Sequence, residues 1–234
     1  MSFVEDPVRV LRALRFAGRF GFKLSKGTEK LLKNAVELEL LKRSPRGRVL
    51  NELRLALREE KLLEILRLYR KYHILEQVVE GFSFSPQLEN LLERLKEIVS
   101  WHRIEFPHEV IDYGWVFLLL LIKDTKEGED FLREISAPAW VRESYRLMKE
   151  QLHRVLSSLQ RAQKNSEVYL VLRGKPLAFL LLLMLFQKEK VRLYMEKLRR
   201  VKVDPQKFRE LKGRALGDAI EGEKLRLMDS LLLR

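Results

Sequence analysis

Apolar residues recur three and four positions apart along almost the whole chain, the spacing that lays a stripe on one face of an α-helix. Helix boundaries therefore have to be read from caps and breakers. Asp6 before Pro7 opens a helix and Gly21 closes it, which predicts a helix over Val8 to Phe20, with Asp6 as its cap. Thr28 to about Leu41 reads as a second helix, Ser44-Pro45 to about Arg58 as a third and Lys61 to Tyr72 as a fourth. The loop GFSFSP, Gly81 to Pro86, is the clearest break in the pattern and the best candidate for a junction. Beyond it the pattern predicts helices near Gln87 to Trp101, His108 to Ile122, Glu127 to Ile135 and Ala139 to Gln163. Shorter ones follow near Glu167 to Leu172, Pro176 to Phe186 and Lys190 to Val201, with a last pair after Asp204. The fold class expected is all-α, an irregular set of many helices.

Composition supports this reading and adds a partner. Seven Pro and eleven Gly in 234 residues are too few for a many-turned β architecture. The formal charge of +13 suggests a polyanion, because clustered Lys and Arg displace the counterions of nucleic acid. The charge is uneven: residues 1–50 hold twelve basic against five acidic residues and residues 151–200 eleven against three, whereas residues 51–150 hold fifteen against nineteen. Two basic zones flank a near-neutral middle. The absence of cysteine excludes disulfides and thiolate metal sites and fits a cytoplasmic location. The apolar run Pro176 to Phe186 is too short to span a bilayer, so no membrane partner is expected.

On the first helix, a turn of about 100° per residue places Arg9, Arg12, Arg15 and Arg19 within about 120°. Val10, Ala13, Leu14 and Ala17 fall on a separate arc, the face to bury. Four guanidiniums on one stripe repel one another, which favours anions lying against them over simple solvation; the alternative is that each pairs with a carboxylate of a neighbouring helix. Asp6 and Arg9, three residues apart, set an acceptor beside donors. Against a base edge, such a pair matches the exocyclic amine and ring acceptor shared by cytosine and adenine, and leaves groups unpaired with guanine or uracil.

The stretch FVEDPVRVLRALRFAGRFGF, Phe3 to Phe22, closely resembles the base-recognition motif of class II tRNA nucleotidyltransferases and bacterial poly(A) polymerases, E-D-x-x-R followed by L-R-A-x-R-F. The resemblance implies that Asp6 and Arg9 read an incoming CTP or ATP, that Glu5 orients Arg9, and that Arg12 belongs to the nucleotide site. A second string, SPRGRVLNEL from Ser44 to Leu53, looks like the family motif S-x-E-R-I-x-x-E-L. It sets Arg48 and Glu52 as a structural pair bracing the neck, with Gly47 where the family has Glu. Phe208 to Leu232 resembles the family's tail.

What the resemblance implies for organisation is a neck with the base-recognition helix over residues 1–82, an RNA-binding body over 83–203 and a tail over 204–234. The family's catalytic head, with a D-x-D pair of metal-binding carboxylates and an R-R-D motif, has no counterpart here, so Met1 would be either an artificial start or the start of a headless gene. The chain alone is therefore expected to catalyse nothing and to hold no cofactor, with Mg²⁺ serving the complete enzyme. The function implied is base selection and tRNA binding for a template-independent enzyme that adds C, A or both to the tRNA 3′ end. The alternatives are the equivalent part of a poly(A) polymerase, or a noncatalytic RNA-binding protein. By resemblance the second basic zone grips the acceptor and T arms of tRNA, with Arg154, Arg161, Lys164, Arg173, Lys175, Lys188 and Lys190 as candidates. His102, His108 and Asp112 lack a third ligand at recognisable spacing and are read as no metal site. Trp101, Trp115 and Trp140 are read as core residues.

Overall fold

The computed structural model describes residues 3–231; Met1, Leu232 and the extreme ends of the expected neck and tail lie outside them. The described residues form fourteen α-helices and two 3-10 turns with no strand, so the all-α expectation holds. They divide into two compact units, with the boundary between Lys149 and Glu150.

The first unit holds α1 (Val8–Phe20), α2 (Lys26–Glu37), α3 (Arg46–Leu57), α4 (Leu62–Lys71), α5 (Leu75–Val78), α6 (Pro86–Glu105), α7 (Tyr113–Ile122), α8 (Gly128–Glu134) and most of α9 (Ala139–Glu150). Helix α1 packs against α3 and α4, and α3 packs in turn against α7. The buried face of α1 includes Val10, Leu11, Leu14 and Ala17, three of them on the arc read from sequence. Burying each large aliphatic side chain here contributes roughly 1.5–3 kcal/mol. The α1–α4 crossing is close because Gly18 has no side chain: a Cβ there would sit 2.6 Å from Ile65 Cγ1. Tyr69 of α4 is fully buried and donates its hydroxyl to the Leu11 carbonyl at 3.2 Å, a second tie between the same helices. Burial is the main cause pushing the Tyr69 phenol above its ordinary pKa; the Glu52 charge adds to this and Arg15 opposes it.

The second unit holds α10 (Leu152–Arg161), α11 (Asn165–Leu172), α12 (Leu177–Leu183), α13 (Lys188–Glu196) and α14 (Gly213–Ser230). Its core is the apolar run around α12, where Ala178 to Leu185 are all buried. The C-terminal helix is anchored at its last turn: Asn165 Nδ2 donates to the Met228 and Leu231 carbonyls, and the Asp229 carboxylate accepts from the Ser166 amide and hydroxyl.

Three expected elements are corrected. Helix α7 begins at Tyr113, not His108, because the Asp112 side chain caps it by accepting from the Gly114 amide at 3.1 Å. The single long helix expected over Ala139 to Gln163 is two, broken at Gln151. Apolar periodicity runs straight through that break, so the pattern carries no sign of it. The side chain of Asp6 does not cap α1, which has no side-chain cap at all.

Candidate nucleotide-reading and RNA-binding residues

The start of α1 places Asp6 and Arg9 one turn apart, with Arg9 Nε 3.4 Å from Asp6 Oδ2. Arg48 reaches across from α3 and donates from Nη2 to the same oxygen at 2.9 Å. A guanidinium holds a carboxylate more strongly than a backbone amide does, which accounts for the missing cap: Asp6 is turned towards two arginines and away from the helix end. The other two heads of the pair are left over. Asp6 Oδ1 and Arg9 Nη1 are buried and meet no hydrogen-bond partner among the described residues. A buried acceptor and a buried donor on adjacent side chains are costly to leave unmade. They are what a ligand edge carrying a donor beside an acceptor would satisfy. Glu5 and Arg12 are exposed nearby, and the Arg12 guanidinium lies 5.6 Å from the centre of the Phe16 ring.

The rest of the arginine stripe is structural. Arg15 is buried and donates from Nε to Glu52 Oε2 at 3.2 Å and from Nη1 to Glu59 Oε1 at 2.9 Å, and Arg19 shares that Glu59 oxygen at 3.4 Å. For Arg15 and Arg19 the carboxylate-pairing alternative is the one realised, and repulsion along the stripe is relieved inside the protein. Arg48 and Glu52, expected as a pair bracing the neck, do not pair with each other. Each reaches α1 separately, Arg48 through Asp6 and Glu52 through Arg15. Glu59 carried no signal in the sequence, since it lies in the turn after α3, outside any helical spacing with α1.

In the second unit the expected RNA contacts separate by what already engages them. Arg154, Lys164 and Lys188 are exposed, as is Arg161, whose Nε donates back to the Ser157 carbonyl of its own helix. Arg173 pairs with Glu221 of α14, and Lys175 lies 5.8 Å from the centre of the Phe179 ring. Lys190 is engaged within the fold. Its ammonium donates to the carbonyls of Leu159, Gln160 and Ala162 at the end of α10, using all three of its donors on orphan helix carbonyls. The start of α11 is closed by Glu167, whose carboxylate accepts from the backbone amides of Gln163 and Lys164 at 2.7 and 3.2 Å. Those two amides hold the Glu167 carboxyl below its ordinary pKa.

No group of three or more His, Asp or Glu side chains suited to a metal ion occurs among the described residues. His102 is buried and its Nδ1 lies 2.8 Å from the Tyr113 hydroxyl. Trp115 is buried, while Trp101 and Trp140 are half-buried. No helix of the described residues is long and apolar enough to cross a membrane.

Residues 21–97 match a family model described as "Probable RNA and SrmB- binding site of polymerase A". An A-adding tRNA nucleotidyltransferase of Aquifex aeolicus (strain VF5) is 52% identical over 240 residues, which is 99% of this chain and 29% of that protein. A second, of Geobacter sulfurreducens (strain ATCC 51573 / DSM 12127 / PCA), is 30% identical over 205 residues, 83% of this chain and 23% of that protein. The chain thus spans less than a third of the length of these curated relatives. Among solved structures, a tRNA-processing enzyme with CTP superposes at a TM-score of 0.90 and 52% identity, over 97% of this chain and 64% of that one. A tRNA nucleotidyltransferase complexed with a primer tRNA and an incoming ATP analogue superposes at 0.77 and 54% identity, over 85% and 59% respectively.

Proposed function

Since the chain belongs to the tRNA nucleotidyltransferase family, we propose that it supplies base selection and tRNA binding for the addition of A to the tRNA 3′ end. The observation that carries this reading is the pair of unpartnered buried atoms, Asp6 Oδ1 and Arg9 Nη1. Asp6 Oδ1 accepts from the exocyclic amine of adenine and Arg9 Nη1 donates to its ring nitrogen, with Arg48 holding the other oxygen of Asp6. Cytosine presents the same two groups, so the pair excludes G and U but does not divide A from C. Addition of A rather than C is supported by the likeness to the A-adding tRNA nucleotidyltransferases of Aquifex aeolicus and Geobacter sulfurreducens.

Glu5 and Arg12 complete the nucleotide side of the site. Arg154, Arg161, Lys164 and Lys188 are the RNA contacts carried forward; Arg173 and Lys175 join them only by leaving Glu221 and the Phe179 ring, and Lys190 is left out. Residues 1–82 are the base-reading part, 83–203 the RNA-binding part and 204–234 the tail, in the cytoplasm. On this reading Mg²⁺ serves the complete enzyme.

The test is a chimera in which this chain replaces the matching segment of the Aquifex aeolicus relative. It should add A to a tRNA lacking its terminal A, and select ATP over GTP and UTP. A chimera that is folded and binds tRNA but adds A, G and U alike would sink the base-selection role.

A further inference from the structure

A cavity of about 560 Å³ in the first unit lies apart from the Asp6–Arg9 pair, between the turn after α3, one face of α6 and the segment leading into α7. It is roomy enough for a nucleotide-sized ligand. Its floor is apolar, with Leu57, Leu62, Val99 and Phe117 all buried. On its rim Lys96, Ser100 and Arg103 follow one another at i, i+4 and i+7, a single stripe of α6.

The rim charges are not equivalent. Asp112 is taken by Arg58, and Glu59 is neutralised from outside the cavity by Arg15 and Arg19. Glu60 is the remaining carboxylate of the rim, against the two cations Lys96 and Arg103. The Arg103 guanidinium rests over the Tyr113 ring at 4.7 Å, and Tyr113 is in turn fixed by its hydroxyl against His102 Nδ1. Two cations on one helical stripe, beside an apolar floor and a ring edge, combine a phosphate seat with a surface for a base.

We propose that this cavity seats one nucleotide of bound RNA, its phosphate between Lys96 and Arg103 and its base against Val99 and Phe117. RNA is the occupant favoured because the two cations of the α6 stripe suit a phosphate, and because the matched family model, described as a probable RNA and SrmB- binding site, takes in Leu57 and Leu62 of the floor and Arg58 and Lys96 of the rim, ending at residue 97 just before Val99, Arg103 and Phe117. The inference rests on the reading that the chain binds tRNA, and is independent of how Asp6 and Arg9 select a base.

The test uses the full chain and a tRNA lacking its terminal A. Lys96→Gln with Arg103→Gln removes the phosphate seat, and Ser100→Tyr fills the space between the two cations while keeping both charges. Both change the helix surface rather than the core, and thermal melting checks that they fold. Each should weaken tRNA binding about tenfold, the double variant by removing two charge-assisted contacts to phosphate and Ser100→Tyr by blocking the space the phosphate takes. In the unsubstituted chain, tRNA should shift the methyl resonances of Val99 and of Ile111, which also lines the cavity, whereas AMP at equal concentration should not. Equal tRNA affinity in both folded variants, or methyl shifts with AMP but none with tRNA, would overturn the proposal. An unsubstituted chain that fails to bind tRNA at all would instead remove the RNA-binding reading on which it stands.

Discussion

Arg48 Nη2 and Asp6 Oδ2 meet at 2.9 Å although 42 residues separate them, and this contact sets how the Asp6 carboxylate is turned beside Arg9. An aspartate one residue before a helix-opening proline ordinarily turns back onto the free amides of the first turn. Here the α3 arginine draws the carboxylate the other way, so one oxygen is held by Arg48 and Arg9 and the other stays open for a ligand.

Arg48→Gln should therefore change selectivity more than stability. Its side chain is 59% exposed, and an exposed ion pair contributes about 0–1 kcal/mol. With the restraint gone, Asp6 is free to cap α1, and in the chimera the preference for ATP over GTP and UTP should fall, as it should in Asp6→Ala. A thermal shift of many degrees with unchanged nucleotide ratios would show that Arg48 is only a brace.

Arg9→Ala removes the donor proposed for the adenine ring nitrogen. Selection against GTP and UTP should relax roughly ten- to a hundredfold, the worth of one buried hydrogen bond of about 1–3 kcal/mol. The measurement is kcat/KM for each of the four triphosphates in the chimera. A single common factor for all four would assign Arg9 to phosphate binding or structure.

Arg15→Ala should be the most destabilising of the α1 arginine substitutions. Arg15 is buried between Glu52 and Glu59, and removing it strands two largely buried carboxylates, at a cost of about 3 kcal/mol. Denaturant unfolding should show this decrease, with Arg12→Ala close to the parent. Equal midpoints for the two variants would contradict the buried network.

Reversing Arg154, Arg161 and Lys164 together to Glu should weaken tRNA binding and flatten its dependence on salt, by a little under one unit of slope for each phosphate left without its cation. Lys190→Ala should act differently, lowering thermal stability by freeing the α10 carbonyls while leaving the salt slope alone. The opposite pattern would return Lys190 to the RNA surface.

Glu167 sets a pH dependence of known sign. Its pKa is lowered in the folded chain by the Gln163 and Lys164 amides, so its stabilisation is present above the unfolded carboxylate pKa of about 4.3 and is lost as pH falls through the folded value. Glu167→Gln should remove that part of the acid-side fall in melting temperature. An acid limb identical in parent and variant would show that other carboxylates account for all of it.

The all-α class, the span of α1 and the pairing of Asp6 with Arg9 were legible in the residues themselves, because each depends on neighbours three or four positions apart. The motif strings added the family in the same local way. What the tertiary structure alone decided are the relations that cross between helices: Arg48 on Asp6, Arg15 between Glu52 and Glu59, Lys190 on the end of α10. Local spacing is silent on these, since which carboxylate an arginine meets depends on how two helices cross, and that crossing is set by shape, as at Gly18 against Ile65. The break at Gln151 was hidden for the same reason. Its apolar stripe continues unbroken along the sequence, and only packing within each unit determines where the helix ends.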